Sequence, residues 1–360
     1  MANPSSFTLS SGHVMPAVGL GTFRVKGEDC YNIVREALRV GYRLIDTASV
    51  YRNEKEVGDA IRDSGIPREE VFVTTKLSPR DQHGYEAAMR AMRMSISRLN
   101  VGYIDLFLIH WPGRSGKRLE PKDNYQMRME SWHALEDLVE EGVVRSIGVS
   151  NYTQRHIEQM LTGTYTNAKD GSTRAIVIPP SVNQVELHPL YPQTPLRRYC
   201  DLKGIHVQAY SSLGQGDERL LKHPLLEYAS RKCDVSPFHL LLHWGLSIGC
   251  SVLPRTSNIE RVESNLISTQ PDHAFPSYLS LLSSLVAESD SIHSEGGREG
   301  MHGGGRGNID PSCACPRSKR REVVVERVGE KRVAMYESVI GCDIDQLQPI
   351  KFCWDPQDIE

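Results

Sequence analysis

The feature that most constrains the fold is an alternation of short β-branched runs with amphipathic stretches between residues 18 and 268. Several of the runs are continuously apolar, as strands are when helices cover both faces of a sheet. Strand–helix repetition of this kind indicates parallel strands joined by right-handed crossovers. The runs predicted to be strands are Val18–Thr22, Arg43–Ala48, Val71–Lys76, Tyr103–His110, Ser146–Asn151, Ser181–Leu187, His206–Leu213 and Ser251–Thr256.

The number of repeats predicts the α/β class of fold. Eight strand–helix units in roughly 250 residues favour a closed (β/α)₈ TIM barrel over an open sheet. Helices are predicted at Tyr85–Leu99 and Ser131–Glu141, and the pair Phe7–Leu9 and His13–Met15 predicts a hairpin before the first barrel strand. The full length of 360 residues leaves room for one barrel with an appendage or for two domains.

The alternation breaks near the end of the chain. Residues 291–320 read SIHSEGGREGMHGGGRGNIDPSCACPRSKR, which is rich in glycine and shows no hydrophobic period. Such a segment buries too little surface to offset the entropy of ordering it, so we predict disorder there.

Charge and cysteine usage exclude several classes of protein. The net charge of −3 creates no basic field that would favour nucleic acid or an anionic membrane. The eight cysteines include no C-x-x-C pair, and Cys313 and Cys315 are too close for the usual zinc site, so no metal is predicted. The N-terminal residues lack the features of a secretory signal, and Val235–Pro254 fits a helix followed by a buried strand. We therefore expect a cytosolic protein with free thiols.

Four polar residues near the carboxyl ends of the predicted strands form a coherent chemical set: Asp46, Tyr51, Lys76 and His110. An ammonium group beside a tyrosine stabilises its phenolate, and a carboxylate keeps that ammonium charged. A histidine can hydrogen-bond a substrate oxygen, so the set suits protonation of an oxygen while a hydride reaches carbon. Spacing alone also allows a plain Asp46–Lys76 ion pair inside the barrel, with Tyr51 capping a helix and His110 in the core.

A series of motifs in chain order extends this pattern along most of the sequence. They are GLGTF (19–23), GYRLIDTASVYRNEKEVGDAI (41–61), VFVTTKL (71–77), YIDLFLIHWP (103–112), GVVRSIGVSN (142–151), VNQVELHP (182–189), VQAYSSLG (207–214), VLPRTSNIERVESN (252–265) and KFCWDP (351–356). In this combination the chain resembles the aldo-keto reductase family. The most specific part is D-x₄-Y together with the later lysine and the histidine that ends strand four.

The resemblance implies an NADPH-dependent oxidoreductase that interconverts aldehydes or ketones with alcohols. Tyr51 would be the general acid for carbonyl reduction and the base for alcohol oxidation, tuned by Asp46 and Lys76. His110 would orient the carbonyl. The resemblance also implies a monomer acting on a small-molecule aldehyde or ketone. It assigns Phe23, Trp111 and Trp354 to the substrate pocket.

The resemblance likewise implies a binding site for NADPH or NADP⁺. Its residues would be Ser150, Asn151, Gln184, Tyr210, Ser211, Leu213, Arg255, Thr256, Asn258, Arg261 and Asn265. Two guanidinium groups and a hydroxyl suit a dianionic phosphate, which favours NADPH over NADH. No G-x-G-x-x-G motif follows the first strand, so a Rossmann site is not implied.

The chain departs from the family pattern at a few positions. Phe23, Arg255 and Ser264 stand where the family usually has tryptophan, lysine and glutamate, and residues 164–178 lengthen the connection before strand six. Residues 271–340 separate the barrel from the family-like tail. We interpret 1–360 as one barrel domain that this block interrupts, either as a disordered loop or as a gene-model artefact such as a translated intron.

Two other functions are compatible with a barrel of this kind. The first is a catalytically impaired barrel that keeps the cofactor site as a binding or regulatory module; the intact set of four residues argues against it. The second is an unrelated barrel enzyme, an isomerase or aldolase, with Lys76 as a Schiff-base lysine. That hypothesis leaves Tyr51 and the cofactor segment unexplained.

Overall fold

Eight parallel strands form the central sheet of the computed structural model, which describes residues 5–115, 121–166, 171–267 and 282. These strands are β3 (Leu20–Gly21), β4 (Leu44–Asp46), β5 (Phe72–Leu77), β6 (Ile104–Ile109), β7 (Val144–Ser150), β10 (Val182–Glu186), β11 (His206–Tyr210) and β12 (Ser251–Val252). Each strand pairs in parallel with the next one in this series.

Hydrogen bonds between the first and last strands close the sheet into a barrel. The Gly19 amide donates to the Val252 carbonyl at 2.9 Å, and the Val252 amide donates to the Ala17 carbonyl at 2.8 Å. The Gly21 amide donates to the Pro254 carbonyl at 3.0 Å. The predicted (β/α)₈ barrel is therefore confirmed. β12 is shorter than predicted because Pro254 has no amide hydrogen to continue the ladder.

Helices cover the outside of the barrel. They are α1 (Gly27–Val40), α2 (Glu54–Asp63), α3 (Tyr85–Leu99), α4 (Pro121–Glu140), α5 (Gln154–Thr162), α6 (Thr194–Leu202), α7 (Glu218–Leu221), α8 (Pro224–Cys233), α9 (Pro237–Ser247) and α10 (Glu260–Ile267). α3 has the predicted bounds. α4 begins ten residues before the predicted Ser131. The prediction missed these first turns because they are polar and lack an apolar period. Within the described residues, no helix combines the length and apolar character that crossing a membrane requires.

The predicted N-terminal hairpin plugs one end of the barrel. Its strands β1 (Ser6–Thr8) and β2 (Val14–Pro16) pair in antiparallel fashion. The hairpin places Leu9 and Met15 among apolar side chains from the barrel strands: Leu44, Phe72, Leu106, Leu108, Val182 and Leu253. Because side chains alternate along a strand, the inward position two residues after Leu44 is Asp46, and the one after Leu108 is His110. On these strands the apolar side chains therefore lie toward the hairpin, and Asp46 and His110 lie toward the opposite end of the barrel.

Side chains of α4, among them the Glu136 carboxylate, hydrogen-bond the lengthened connection before β10. This connection contains the short antiparallel strands β8 (Tyr165–Thr166) and β9 (Thr173–Arg174). Glu136 of α4 accepts hydrogen bonds from the amides of Val177 at 2.6 Å and Ile178 at 2.8 Å, and its other oxygen lies 2.7 Å from His133 Nδ1. Burial alone would raise the pKa of Glu136, but these hydrogen bonds hold that pKa below its ordinary value of 4.5.

We expect Glu136→Gln to lower the free energy of unfolding by about 1–3 kcal/mol at neutral pH, because a charged acceptor of two amides is lost. A depressed folded-state pKa contributes stability that is present above the unfolded-state pKa and is lost as pH falls through the folded-state pKa. The variant should therefore lose less stability than the unaltered protein below about pH 4.5. Denaturant unfolding across a pH series measures both effects, with Glu140→Gln on the exposed face of α4 as the control. Equal pH dependence in all three proteins would contradict this assignment.

The predicted insertion at 271–340 lies, apart from Leu282, outside the described residues. The tail that contains Trp354 also lies outside them. The described cysteines Cys30, Cys200, Cys233 and Cys250 are free thiols.

Candidate active site

A cavity of about 490 Å³ opens where the barrel strands end. This is the end at which barrel enzymes carry their reactive side chains. Most of the residues predicted as site residues line it: Phe23, Asp46, Tyr51, His110, Trp111, Ser150, Asn151, Gln184, Tyr210, Ser211, Leu213, Arg255 and Arg261. Predicted site residues that lie more than 200 positions apart in the sequence therefore line one cavity.

A buried ion pair lies at the floor of this cavity. Lys76 Nζ donates to the two carboxylate oxygens of Asp46 at 2.8 and 2.7 Å and to the Thr47 carbonyl at 2.9 Å. Lys76 is fully buried and Asp46 is 3% exposed. Burial lowers the pKa of Lys76 from its ordinary value, and the adjacent Asp46 carboxylate opposes that shift. All three donor hydrogens of the ammonium have acceptors, so its position is fixed.

Tyr51 ends a single 3₁₀ turn, Ser49–Tyr51, that directly follows β4. The Ser49 hydroxyl donates to the Lys76 carbonyl at 2.9 Å, which holds this turn against β5. The centroid of the Tyr51 ring lies 5.1 Å from Lys76 Nζ. The same ring lies 5.1 Å, centroid to centroid, from the Phe23 ring. The D-x₄-Y spacing therefore places the Tyr51 phenol beside Lys76, the ion-pair partner of Asp46.

His110 follows β6 and completes the set of four. Its ring meets the Tyr51 ring edge to face, with centroids 5.7 Å apart. Burial, and then the charge of Lys76, lower the pKa of His110 well below its ordinary value of 6.5, so the imidazole is neutral at physiological pH. His110 Nδ1 is buried and has no hydrogen-bond partner among the described residues. The imidazole can therefore serve as a neutral hydrogen-bonding group at the cavity.

A shelf of amide, hydroxyl and aromatic groups faces this set across the cavity. Asn151 Nδ2 donates to the His110 carbonyl at 3.0 Å, and the Tyr210 hydroxyl donates to Asn151 Oδ1 at 2.7 Å. The Ser150 hydroxyl donates to the Gln184 carbonyl at 2.8 Å. Asn151 has a left-handed backbone with φ 62°, a strained conformation that is common where an active site dictates the direction of a side chain.

Arginine side chains form part of the cavity wall. Arg255 donates from Nε to the Phe23 carbonyl at 2.8 Å and from Nη2 to the Arg24 carbonyl at 3.0 Å. Arg24 and Arg261 line the same cavity. Three arginines therefore line the cavity, and two nitrogens of the Arg255 guanidinium also join the loop after β3 to the segment after β12.

Three of the predicted cofactor residues do not line the cavity. Thr256 Oγ1 and the Asn258 backbone exchange hydrogen bonds at 3.0 Å, which forms a tight turn before α10. Asn258 Oδ1 accepts from the Glu260 amide at 2.9 Å at the start of that helix. Asn265 is buried within α10. In the described structure the hydrogen bonds of Thr256 and Asn258 shape the turn before α10, the helix that contains Arg261.

Comparison with known proteins identifies the family to which this barrel belongs. A sequence model described as the Aldo/keto reductase family matches residues 17–270. The chain belongs to the aldo-keto reductase family. It is 38% identical over 276 residues to a glycerol 2-dehydrogenase (NADP(+)) of Saccharomyces cerevisiae, which covers 72% of this chain and 84% of the yeast protein. It is 40% identical over 258 residues to a glyoxal reductase of Bacillus subtilis, which covers 71% and 84% respectively.

Solved structures of other aldo-keto reductases have the same architecture. A crystal structure of the enzyme from Brucella melitensis superposes with a TM-score of 0.68 at 34% identity, covering 79% of this chain and 99% of the Brucella chain. An aldo-keto reductase from a deep-sea metagenome library gives a TM-score of 0.67 at 38% identity, covering 78% and 94%. The resemblance predicted from the motifs is therefore confirmed.

The cavity of this aldo-keto reductase also contains residues that were not predicted from the sequence. They include Arg24, Val50, Gln215 and Phe238. Arg24 directly follows the GLGTF motif and Val50 directly precedes Tyr51 in D-x₄-Y, so the neighbours of the motif residues would have supplied both. Phe238 lies in the first turn of α9, within a stretch that reads as an ordinary buried helix. No sequence signal marks it as a cavity residue.

Proposed function

We propose that this aldo-keto reductase reduces aldehydes and ketones to alcohols with NADPH, and that Tyr51 supplies the proton. The observation that supports the proposal is the position of Tyr51 at the cavity, where its ring lies beside Lys76 Nζ and the His110 ring. A buried ion pair with no further role would need neither a phenol at the cavity nor a neutral histidine beside it.

The chemistry of the cavity wall fits NADPH. The shelf of Ser150 and Asn151 offers hydrogen-bonding groups for a carboxamide, Tyr210 offers an aromatic face, and the arginines suit phosphate oxygens. The Ser212 hydroxyl lines the same wall, and its oxygen is buried without a partner among the described residues, as expected for a group awaiting a ligand. When bound, NADPH would supply the hydride. The three arginines of the cavity wall favour NADPH over NADH.

Tyr51 is the group best placed to protonate the substrate oxygen. Loss of its proton leaves a phenolate, whose negative charge the Lys76 ammonium at 5.1 Å from the ring centroid stabilises. Asp46 holds that ammonium in place through two short hydrogen bonds. In the reverse direction, the same phenolate accepts the proton of an alcohol.

Neutral His110 would orient the carbonyl by a hydrogen bond to its oxygen. A protonated imidazole would instead put a second positive charge next to Lys76 in a dry site, which burial disfavours. The substrate carbon and oxygen would then lie between apolar walls that include Phe23, Val50 and Trp111. These walls, and relatives named for glycerol and glyoxal, support small aldehydes and ketones as substrates.

We expect the kcat of the unaltered protein with a non-ionisable aldehyde to show no bend near pH 6.5. The lowered pKa of His110 keeps the imidazole neutral across the range from about pH 6 to pH 8. A pH series of kcat at saturating NADPH measures this, with His110→Gln as the comparison. A bend near pH 6.5 that disappears in the variant would contradict a neutral His110.

The proposed activity is tested by adding NADPH and a panel of small aldehydes, glyoxal among them, to the purified 360-residue protein. We expect loss of NADPH absorbance with an equal amount of alcohol formed, and a much weaker signal with NADH. NADPH binding without alcohol formation would overturn the proposal. It would favour the cofactor-binding module considered as the alternative.

We also propose that the protein is a cytosolic monomer and that 271–340 interrupts a single barrel domain. Light scattering of the purified chain tests the first point, and a dimer mass would contradict it. Localisation by microscopy of the tagged full chain tests the compartment. Sequencing the transcript across residues 268–345 distinguishes a real insertion from a gene-model artefact.

A further inference from the structure

A chain of buried side-chain contacts leads from the N-terminal plug to the Asp46–Lys76 pair. Gln208 of β11 is fully buried and lies directly beside Gln184 of β10 in the sheet. Gln184 lines the cavity, whereas Gln208 does not. Gln208 lies inside the VQAYSSLG motif, but it was not assigned to the site, and the proposed reaction does not use it.

The amide of Gln184 uses both of its hydrogens inside the barrel. Nε2 donates to Asp46 Oδ1 at 2.8 Å and to Gln208 Oε1 at 2.8 Å. A side-chain amide has two N–H donors and one carbonyl acceptor. With both donors committed, the group that Gln184 offers to a molecule in the cavity is its carbonyl oxygen.

The two acceptors decide which way this amide faces. A flipped amide would put its oxygen against the Asp46 carboxylate and the Gln208 carbonyl, where no hydrogen bond forms. Gln208 has a defined orientation of its own, because its Nε2 lies 3.5 Å from Sδ of Met15, a thioether that can only accept. Gln208 therefore directs a carbonyl oxygen toward Gln184.

We propose that Gln208 is a positioning residue: by holding the amide of Gln184, it makes the cavity present a hydrogen-bond acceptor to the carboxamide of the nicotinamide ring. This inference rests on the proposed NADPH-dependent function. It implies that the site selects a pyridine nucleotide that has an amino group on the ring substituent. It disfavours one that carries a methyl ketone in its place.

The test measures binding and needs no turnover. Calorimetry with the full chain gives dissociation constants for NADP⁺ and for its 3-acetylpyridine analogue, in which a methyl group replaces the amino group of the carboxamide. We expect the unaltered protein to bind NADP⁺ about tenfold more tightly, the value of one neutral hydrogen bond. In Gln208→Met, which has similar length but no carbonyl acceptor, the ratio should fall below about threefold, mainly through weaker NADP⁺ binding.

Leu9→Met is the matched control, because it changes the same apolar cluster and leaves the hydrogen bonds of Met15, Gln208 and Gln184 in place, and it should keep the tenfold ratio. Gln208→Asn is a second variant, since its shorter amide cannot reach Gln184; it should lose the ratio as Gln208→Met does. Equal binding of both nucleotides by the unaltered protein would overturn the inference, and that measurement needs no variant to fold. A tenfold ratio that persists in the Gln208 variants would also overturn it. If the unaltered protein bound no NADP⁺ at all, the proposed function itself would fail.

Discussion

Tyr51→Phe is expected to lower kcat for aldehyde reduction by roughly 10²–10⁴, because it removes only the hydroxyl that gives its proton to the substrate oxygen. The ring would remain between Phe23 and His110, so packing should be retained. Binding of NADPH should stay within about threefold of the unaltered protein. Steady-state kinetics and calorimetry on the same preparations measure the two quantities.

Tyr152→Phe is the matched control for this substitution. Tyr152 is a buried tyrosine next to Asn151, and its hydroxyl has no hydrogen-bond partner among the described residues. Removing that hydroxyl should leave kcat nearly unchanged. Similar rates for Tyr51→Phe and the unaltered enzyme would show that another group supplies the proton.

Lys76→Met is expected to damage both stability and activity. The substitution leaves the Asp46 carboxylate buried without its counterion, which should cost about 3–5 kcal/mol of unfolding free energy. It should also lower kcat by roughly 10²–10³, because the phenolate loses the charge that stabilises it. Denaturant unfolding and kinetics on one preparation separate the two losses.

The double variant Asp46→Asn with Lys76→Met distinguishes a structural pair from a catalytic one. In this double variant neither position 46 nor position 76 carries a buried charge. Its free energy of unfolding should therefore exceed that of Lys76→Met alone. Its kcat should remain as low as that of the single variant, because Tyr51 still lacks a cation. Recovery of kcat together with stability would show that the pair serves the fold and not the reaction.

The barrel could be predicted because it depends on local patterns, whereas most residues of the cavity wall were assigned through the resemblance to the aldo-keto reductase family. Continuous apolar runs identify strands that are buried on both faces, and the period of α3 was clear enough to give both of its ends. The carboxyl ends of parallel strands meet at one edge. Asp46, Lys76 and His110 could therefore be placed together before any coordinates were known.

The remaining features depend on contacts between distant parts of the chain. Glu136 binds amides 41 and 42 positions away, in a connection that has no motif. Gln208 resembles any polar residue in a strand until its partner Gln184 is seen beside it. Thr256 and Asn258 were expected at the cofactor, yet in the described structure their hydrogen bonds shape the turn before α10. Such roles depend on which side chains meet in the folded barrel. The hydrophobic period of the sequence does not specify these pairs.

The central claim is that this protein transfers a hydride from NADPH to a carbonyl carbon while its own acid protonates the oxygen. Deuterium placed on C4 of NADPH, in the transferable position, tests it most directly with the full chain and a small aldehyde. Mass spectrometry of the alcohol is predicted to find one deuterium on the carbon that had been the carbonyl, and the hydroxyl hydrogen should exchange with water. An alcohol without that deuterium, or no alcohol at all, would contradict the account.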